Sequence, residues 1–187
     1  MNEKGQHVNV SKPKEEKLVI KQTELIVKYI DLMKSRGHLY QKIKGVYARV
    51  AGGGEKIITR TSDGMETMNV ANKGDYIVTN TTTSKESYII KPAQFAKKYT
   101  LHHDDYFVPN ENAQVFALQL TENTINKFKL EAFTELCNKH AHKAYIEAPW
   151  YERQAVKLND YLASPLIKNE VYRIANKEFL ESYKLIR

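Results

Sequence analysis

Apolar residues in "KLVIKQTELIVKYIDLMKSRG" recur every three or four positions: Leu18, Ile26, Tyr29, Ile30 and Met33, with Leu25 beside them. That spacing covers one face of a 3.6-residue period and predicts an N-terminal helix within 17–37. Thr23 is its candidate N-cap, and the basic pair Lys34 and Arg36 before Gly37 marks its end. Leu18–Gln22 fits either the start of this helix or a separate extended piece. The preceding segment, 1–16, is polar and lysine-rich, and reads as a disordered basic arm.

After Gly37 the period changes. "GVYARVA" (45–51) and "EKIITRT" (55–61) are short and β-branched, with the triplet Gly52–Gly54 as a turn between them. "METMNV" (65–70), "DYIVTN" (75–80) and "SYIIK" (87–91) continue the strand pattern, and Pro92 suits the first position of a short helix in "PAQFAKKY". The alternation in "SYIIK" sets Tyr88 and Ile90 on one face and Ile89 on the other.

The chain then repeats itself. Asp75 and Tyr76 answer Asp160 and Tyr161; Glu86, Tyr88 and Ile90 answer Glu170, Tyr172 and Ile174; Phe95, Tyr99 and Leu101 answer Phe179, Tyr183 and Leu185. Upstream, "VYARVA" (46–51) matches "VFALQL" (115–120), and Glu66–Val70 matches Glu152–Val156. The second copy carries an insertion at 121–142 that reads as one helix capped by Thr124, with Ile125, Phe128, Phe133, Leu136, Cys137 and His140 on one side. The expected fold is therefore α+β: two tandem copies of a small antiparallel sheet with a helix, a first repeat at 40–101, a linker at 102–112 and a second repeat at 113–187. The period exceeds the roughly 20–50 residues of solenoid repeats, so the copies are small domains.

The pattern G-D-Y-[IV]-[IV], a polar turn, an aromatic strand and P-x-x-F-x-x-x-Y resembles a small protein family common in phages and prophages. Gly74, Asp75, Tyr76, Lys91, Pro92, Phe95 and Tyr99 carry the likeness in the first copy, and Val115 and Ala117 carry the opening strand of the second. The second copy departs from the pattern, with Asn159 where Gly74 stands and Ala175 or Asn176 in place of Pro92. The resemblance implies this fold and a mobile-element origin, and it implies no reaction.

Composition narrows the partners. The 187 residues include 29 Lys and Arg against 22 Asp and Glu, a net charge of +7, which favours acidic proteins, anionic small ligands or nucleic acid. The one cysteine, Cys137, excludes an intrachain disulfide, and a cytoplasmic location is expected. No apolar run reaches the roughly 18 residues of a membrane span, so no membrane partner is expected. A monomer or weak dimer is expected, the second copy standing in for a partner subunit.

Three clusters carry candidate chemistry. "LHHDDYF" (101–107) offers His102, His103 and Asp105 as weak ligands for a divalent metal, which Cys137, His140 and His142 would complete only if the inserted helix lay against them. The competing reading is a solvated linker, and no cofactor is otherwise expected. "EAPWYERQ" (147–154) places Trp150, Tyr151 and Arg153 in a turn absent from the first copy, an aromatic anchor beside a cation. Lys97 and Lys98 lie just before the linker. Gly52–Gly54 lacks the Gly-Lys-Ser/Thr ending of a phosphate loop. No coherent catalytic set emerges. The reading is a non-catalytic binding protein, a phage-type accessory or inhibitor protein. It would engage an acidic protein or a phosphorylated small ligand in a cleft between the repeats, through Trp150, Tyr151, Arg153, Lys97 and Lys98. The alternatives are a metal-assisted hydrolase of a nucleotide or phosphorylated substrate, and a single-stranded nucleic-acid binder stacking bases on exposed Tyr76, Tyr88, Tyr161 and Tyr172.

Overall fold

The structure, a computed structural model, describes residues 18–138 and 143–186; the expected arm, like His140 and His142, lies outside the described residues. The first half runs β1 (Val19–Ile20), α1 (Gln22–Arg36), β2 (His38–Lys42), β3 (Val46–Val50), β4 (Glu55–Thr61), β5 (Gly64–Ala71), β6 (Tyr76–Asn80), β7 (Ser87–Ile90), α2 (Pro92–Lys98) and β8 (Tyr99–His103). The second runs β9 (Tyr106–Pro109), β10 (Gln114–Gln119), α3 (Glu122–Lys127), a 3-10 helix (Glu131–Cys137), β11 (Ala144–Glu147), β12 (Arg153–Val156), β13 (Tyr161–Pro165), β14 (Tyr172–Ile174), α4 (Asn176–Ser182) and β15 (Tyr183–Leu185). The class is α+β, with largely antiparallel sheets.

Two five-stranded sheets dominate, in the orders β7-β6-β3-β9-β8 and β14-β13-β10-β2-β15. In the first, Tyr76 faces Ile90 and Val78 faces Tyr88; in the second, Tyr161 faces Ile174 and Ala163 faces Tyr172. One inner strand of each sheet is exchanged between the halves. β2, immediately before β3 in the chain, pairs instead with β10 and β15, while β9, immediately before β10, pairs with β3 and β8. The stretch expected as a linker, 102–112, thus contains a sheet strand, because Tyr106, Phe107 and Val108 fill the open edge beside β3.

Each sheet packs a short helix through one aromatic column. Tyr76, Phe95 and Tyr99 stack with centroids 4.1 and 5.0 Å apart, and Tyr161, Phe179 and Tyr183 stack at 3.7 and 4.9 Å. Phe107 of β9 meets Phe95 edge-on at 4.9 Å, and Tyr40 of β2 meets Phe179 edge-on at 4.8 Å. Offset and edge-to-face arrangements match the ring quadrupoles.

The largest core packs on the second sheet through Leu118 and Leu162, whose neighbours Ala117, Tyr161 and Ala163 belong to the aromatic side. Leu25, Tyr29, Ile30 and Met33 of α1 pack with Ile125, Leu130, Phe133, Leu136, Ile146 and Val156. The helix begins at Gln22 after Lys21, without a side-chain cap from Thr23. The Gln22 amide instead donates to the carbonyls of Glu147 and Val171 at 2.8 and 2.7 Å and accepts from Val171 N–H at 2.8 Å. Val19–Ile20 pairs in parallel with β11. The insertion expected as one helix is broken into α3 and the 3-10 helix, where Lys129 takes a left-handed φ of 51°. Its cap is Thr121, whose Oγ1 accepts from Thr124 N–H at 3.1 Å.

Glycine is needed at Gly37 for space: a Cβ there would sit 2.4 Å from the Met33 carbonyl oxygen. At Gly74 the reason is conformation, with φ at 88°. Asn159 adopts the same left-handed geometry, with φ at 72°, so the residue that breaks the sequence pattern keeps the turn. Gly74→Val is expected to cost about 1–2 kcal/mol in thermal unfolding, with Asn159→Gly neutral or stabilising. Equal losses at both sites would show that the turn does not require this geometry.

Candidate functional site

A cavity of about 480 Å³ is lined by residues of both five-stranded sheets and covered by the β4–β5 hairpin. The pleat explains the cover: Thr59, Thr61, Thr67 and Asn69 line the cavity, while Ile58 and Met68 keep exposed surface on the outer side. The hairpin tip is fixed to the second half. Ser62 N–H donates to Glu178 Oε1 at 2.6 Å, Asp63 pairs with Lys157 at 2.6 Å, and Asp63 and Glu66 both pair with Arg173.

Lys42 sets the electrostatics within. It belongs to β2 of the second sheet, yet its ammonium donates to Asn80 Oδ1 at 2.9 Å and to Tyr99 OH at 2.8 Å in the first, with Tyr88 OH at 3.3 Å. Tyr88 and Tyr99 hydroxyls lie 3.2 Å apart. Asn80 in turn donates to Glu86 at 2.7 Å, and Thr82 also donates to that carboxylate. Burial alone would raise the Tyr99 phenol, but the Lys42 ammonium beside it outweighs burial and holds it below its usual range. Burial pushes Tyr172 and Tyr183, the other two cavity phenols, well above theirs. Lys98 lines the same space, half-buried; burial pushes its ammonium down, helped by Lys42 and Lys168 and opposed by Glu170. Neither Lys42 nor Lys98 forms an ion pair with a carboxylate among the described residues.

Of the five residues expected to engage a ligand between the repeats, the cavity collects Trp150 and Lys98. Trp150 sits 6.3 Å from the Tyr172 ring and keeps 43 % of its surface exposed, so it joins the cavity to solvent. Tyr151 points outward at 85 % exposure, Lys97 is exposed, and the Arg153 guanidinium covers the Tyr145 ring at 3.5 Å. Those three do not join Trp150 and Lys98 in the cavity.

His102 and His103 stand on β8 and Asp105 in the tight turn to β9, all exposed. His103 stacks on Tyr106 at 5.3 Å, and its Nδ1 lies 3.4 Å from Asp104. Among the described residues no three His, Cys, Asp or Glu side chains come together as a metal site. Cys137 packs instead against the α1 core. The four recurring tyrosines also depart from the base-stacking expectation. Tyr76 and Tyr161 are stacked on phenylalanines, while Tyr88 and Tyr172 line the cavity.

Sequence reasoning passed over Lys42, Glu86 and Arg173. Arg173 left a legible signal, because it stands between Tyr172 and Ile174 where the matching stretch Tyr88–Ile90 has Ile89. An arginine at an apolar position implies buried carboxylates. Lys42, in "HLYQKIK", left no such signal.

Fold and site together define an α+β protein with a cavity between two sheets. The chain matches no protein-family model, no curated protein and no solved structure. No helix among the described residues is long and apolar enough to cross a membrane.

Proposed function

We propose that this chain is a binding protein for a small anionic ligand, a phosphorylated or carboxylate-bearing molecule held between two tandem copies of one module. The observation that carries the reading is the pair Lys42 and Lys98, two ammonium groups turned to one cavity without carboxylate partners among the described residues. An anion would accept charge-assisted hydrogen bonds from Lys98, while Lys42, whose three N–H groups are taken by Asn80, Tyr99 and Tyr88, adds its positive charge behind those phenols. Trp150 at the opening offers a flat apolar surface for the rest of the ligand. The cavity volume falls within the roughly 300–1,000 Å³ of small-molecule sites. It suits a small molecule better than a folded acidic protein.

The duplication reading is supported by the matched registers, the paired aromatic columns and the shared turn geometry at Gly74 and Asn159. Residues at corresponding positions line the cavity from both sides, among them Tyr88 with Tyr172 and Tyr99 with Tyr183. The phage-type accessory role stays attached to the sequence resemblance.

Isothermal titration of the full chain with inorganic phosphate, a nucleoside 5′-monophosphate and glyoxylate tests the reading. Saturable binding by at least one is expected. Lys98→Ala and Lys42→Met should each weaken it by about tenfold or more, which is roughly 1.4 kcal/mol, with Lys97→Ala unchanged. Binding insensitive to Lys42 and Lys98, or no binding of any of the three anions, would overturn it.

A further inference from the structure

Lys98 differs in kind from the other lysines around the cavity. Lys91 pairs with Asp75 at 2.9 Å, Lys168 pairs with Glu170, and Lys42 is tied to Asn80 and Tyr99. Lys98 has no side-chain hydrogen bond or ion pair among the described residues, yet it stands at the end of α2, where Tyr99 begins β8 and carries the chain into the phenol cluster. The neighbouring groups are the ammonium of Lys42 from β2, the phenol of Tyr99, and Lys168 and Glu170 from the segment before β14. Burial and the adjacent cations all favour its neutral amine, with Glu170 and Tyr99 opposing. An amine without an ion-pair partner, lining a cavity beside a fixed cation, is the arrangement that makes lysine a nucleophile toward carbonyls.

We infer that Lys98 captures its ligand covalently, as a reversible imine with a small anionic aldehyde or oxo acid drawn in by the positive charge of Lys42. The inference rests on the reading of the cavity as an anion site, and it names the ligand class more narrowly. In the step, the Lys98 nitrogen adds to the carbonyl carbon, forming a C–N bond as the C=O π pair moves to oxygen. The carbinolamine then loses that oxygen as water. Both hydrogens of the water come from the attacking nitrogen, relayed through cavity hydroxyls, and a C=N bond remains. No oxidant or reductant is consumed. Lys42 supplies the charge that orients the carboxylate or phosphate of the ligand, and it makes no covalent bond.

The test treats the full chain with glyoxylate and sodium cyanoborohydride, which reduces an imine to a stable secondary amine. Intact-mass and peptide-mapping measurements locate and time the adduct. A saturable single adduct on Lys98 is expected, formed roughly tenfold or more faster than on exposed Lys97, abolished in Lys98→Arg and slowed in Lys42→Met. Its rate should climb as pH rises through the titration of Lys98, earlier than for surface lysines. Mapping on the unmodified chain does not depend on whether either variant folds. Adducts spread evenly over surface lysines would overturn the inference. Glyoxylate binding in the titration without a Lys98 adduct would also overturn it, while leaving the anion site standing. Absence of both binding and adduct would remove the two together.

Discussion

Replacing Arg173 by methionine is expected to cost about 3–5 kcal/mol of unfolding free energy, read from the urea midpoint. Its side chain is 3 % exposed, and it holds Asp160 through Nε at 2.8 Å, Glu66 at 3.2 Å, and Asp63. Burial works against the guanidinium charge, but Asp160 and Glu66 outweigh it, so the group stays protonated throughout the accessible pH range. Methionine fills much of the volume and leaves buried carboxylates uncompensated, which is why removing one partner costs more than the pair is worth. The hairpin tip loses its main anchor in the same step.

The pH dependence carries a definite sign. Burial alone would raise Asp63, but Lys157 and Arg173 hold it below its ordinary range, so its contribution is present at neutral pH and lost as pH falls through the depressed value. Glu66 runs the other way: burial raises it above its ordinary range, so its contribution is present at low pH and lost as pH rises through the raised value. Without Arg173 the remaining carboxylates are more easily protonated. The gap between Arg173→Met and the unmodified chain should therefore be widest near neutrality and narrow below about pH 5. A gap that does not change with pH would show that the cost is packing alone.

Phe179→Ala and Phe95→Ala are each expected to cost about 3–5 kcal/mol. Both rings are nearly fully buried, sandwiched between two tyrosines of their own sheet, and met edge-on by Phe107 of β9 or Tyr40 of β2. Truncation empties the centre of the column, and neither helix, at seven residues, can stay folded without packing. Phe95→Ala should also weaken anion binding, since α2 and Tyr99 position Lys98 and the phenol cluster. Losses below 1 kcal/mol in either variant, measured by denaturant unfolding, would show that the column relaxes around the gap.

What could be read locally was read well. The strands over 46–51, 55–61, 75–80 and 87–91, and a helix opening at Pro92, follow from alternation and turn chemistry within a few residues. The pairs Tyr76 and Tyr161, Phe95 and Phe179, and Tyr99 and Tyr183 do the same packing in both sheets. Long-range choices were not legible. Nothing in "HLYQK" says that β2 passes by β3 and joins β10, because pairing partners depend on sequence-distant edges rather than local periodicity. The position of Lys42 at the cavity follows from that pairing and was hidden with it. The insertion misled for a different reason: its apolar spacing is helical, but Lys129 takes a left-handed φ and ends α3 early. The aromatic turn at 147–154 drew attention to three residues, of which geometry admits only Trp150 to the cavity.

The crossed placement of β2 and β9 makes the two sheets mutual dependents. Cutting the chain between them would not release two modules. A piece ending before β9 would expose the edge of β3, and a piece starting after β2 would leave β10 and β15 without the strand that joins them. The molecule is thus tied like a belt whose two ends buckle into each other, and its melting should be one event with the surface change of the whole chain. At the cavity, Lys42 of one sheet is tied to Asn80, Tyr88 and Tyr99 of the other, so loosening either sheet would pull apart the cluster that both share.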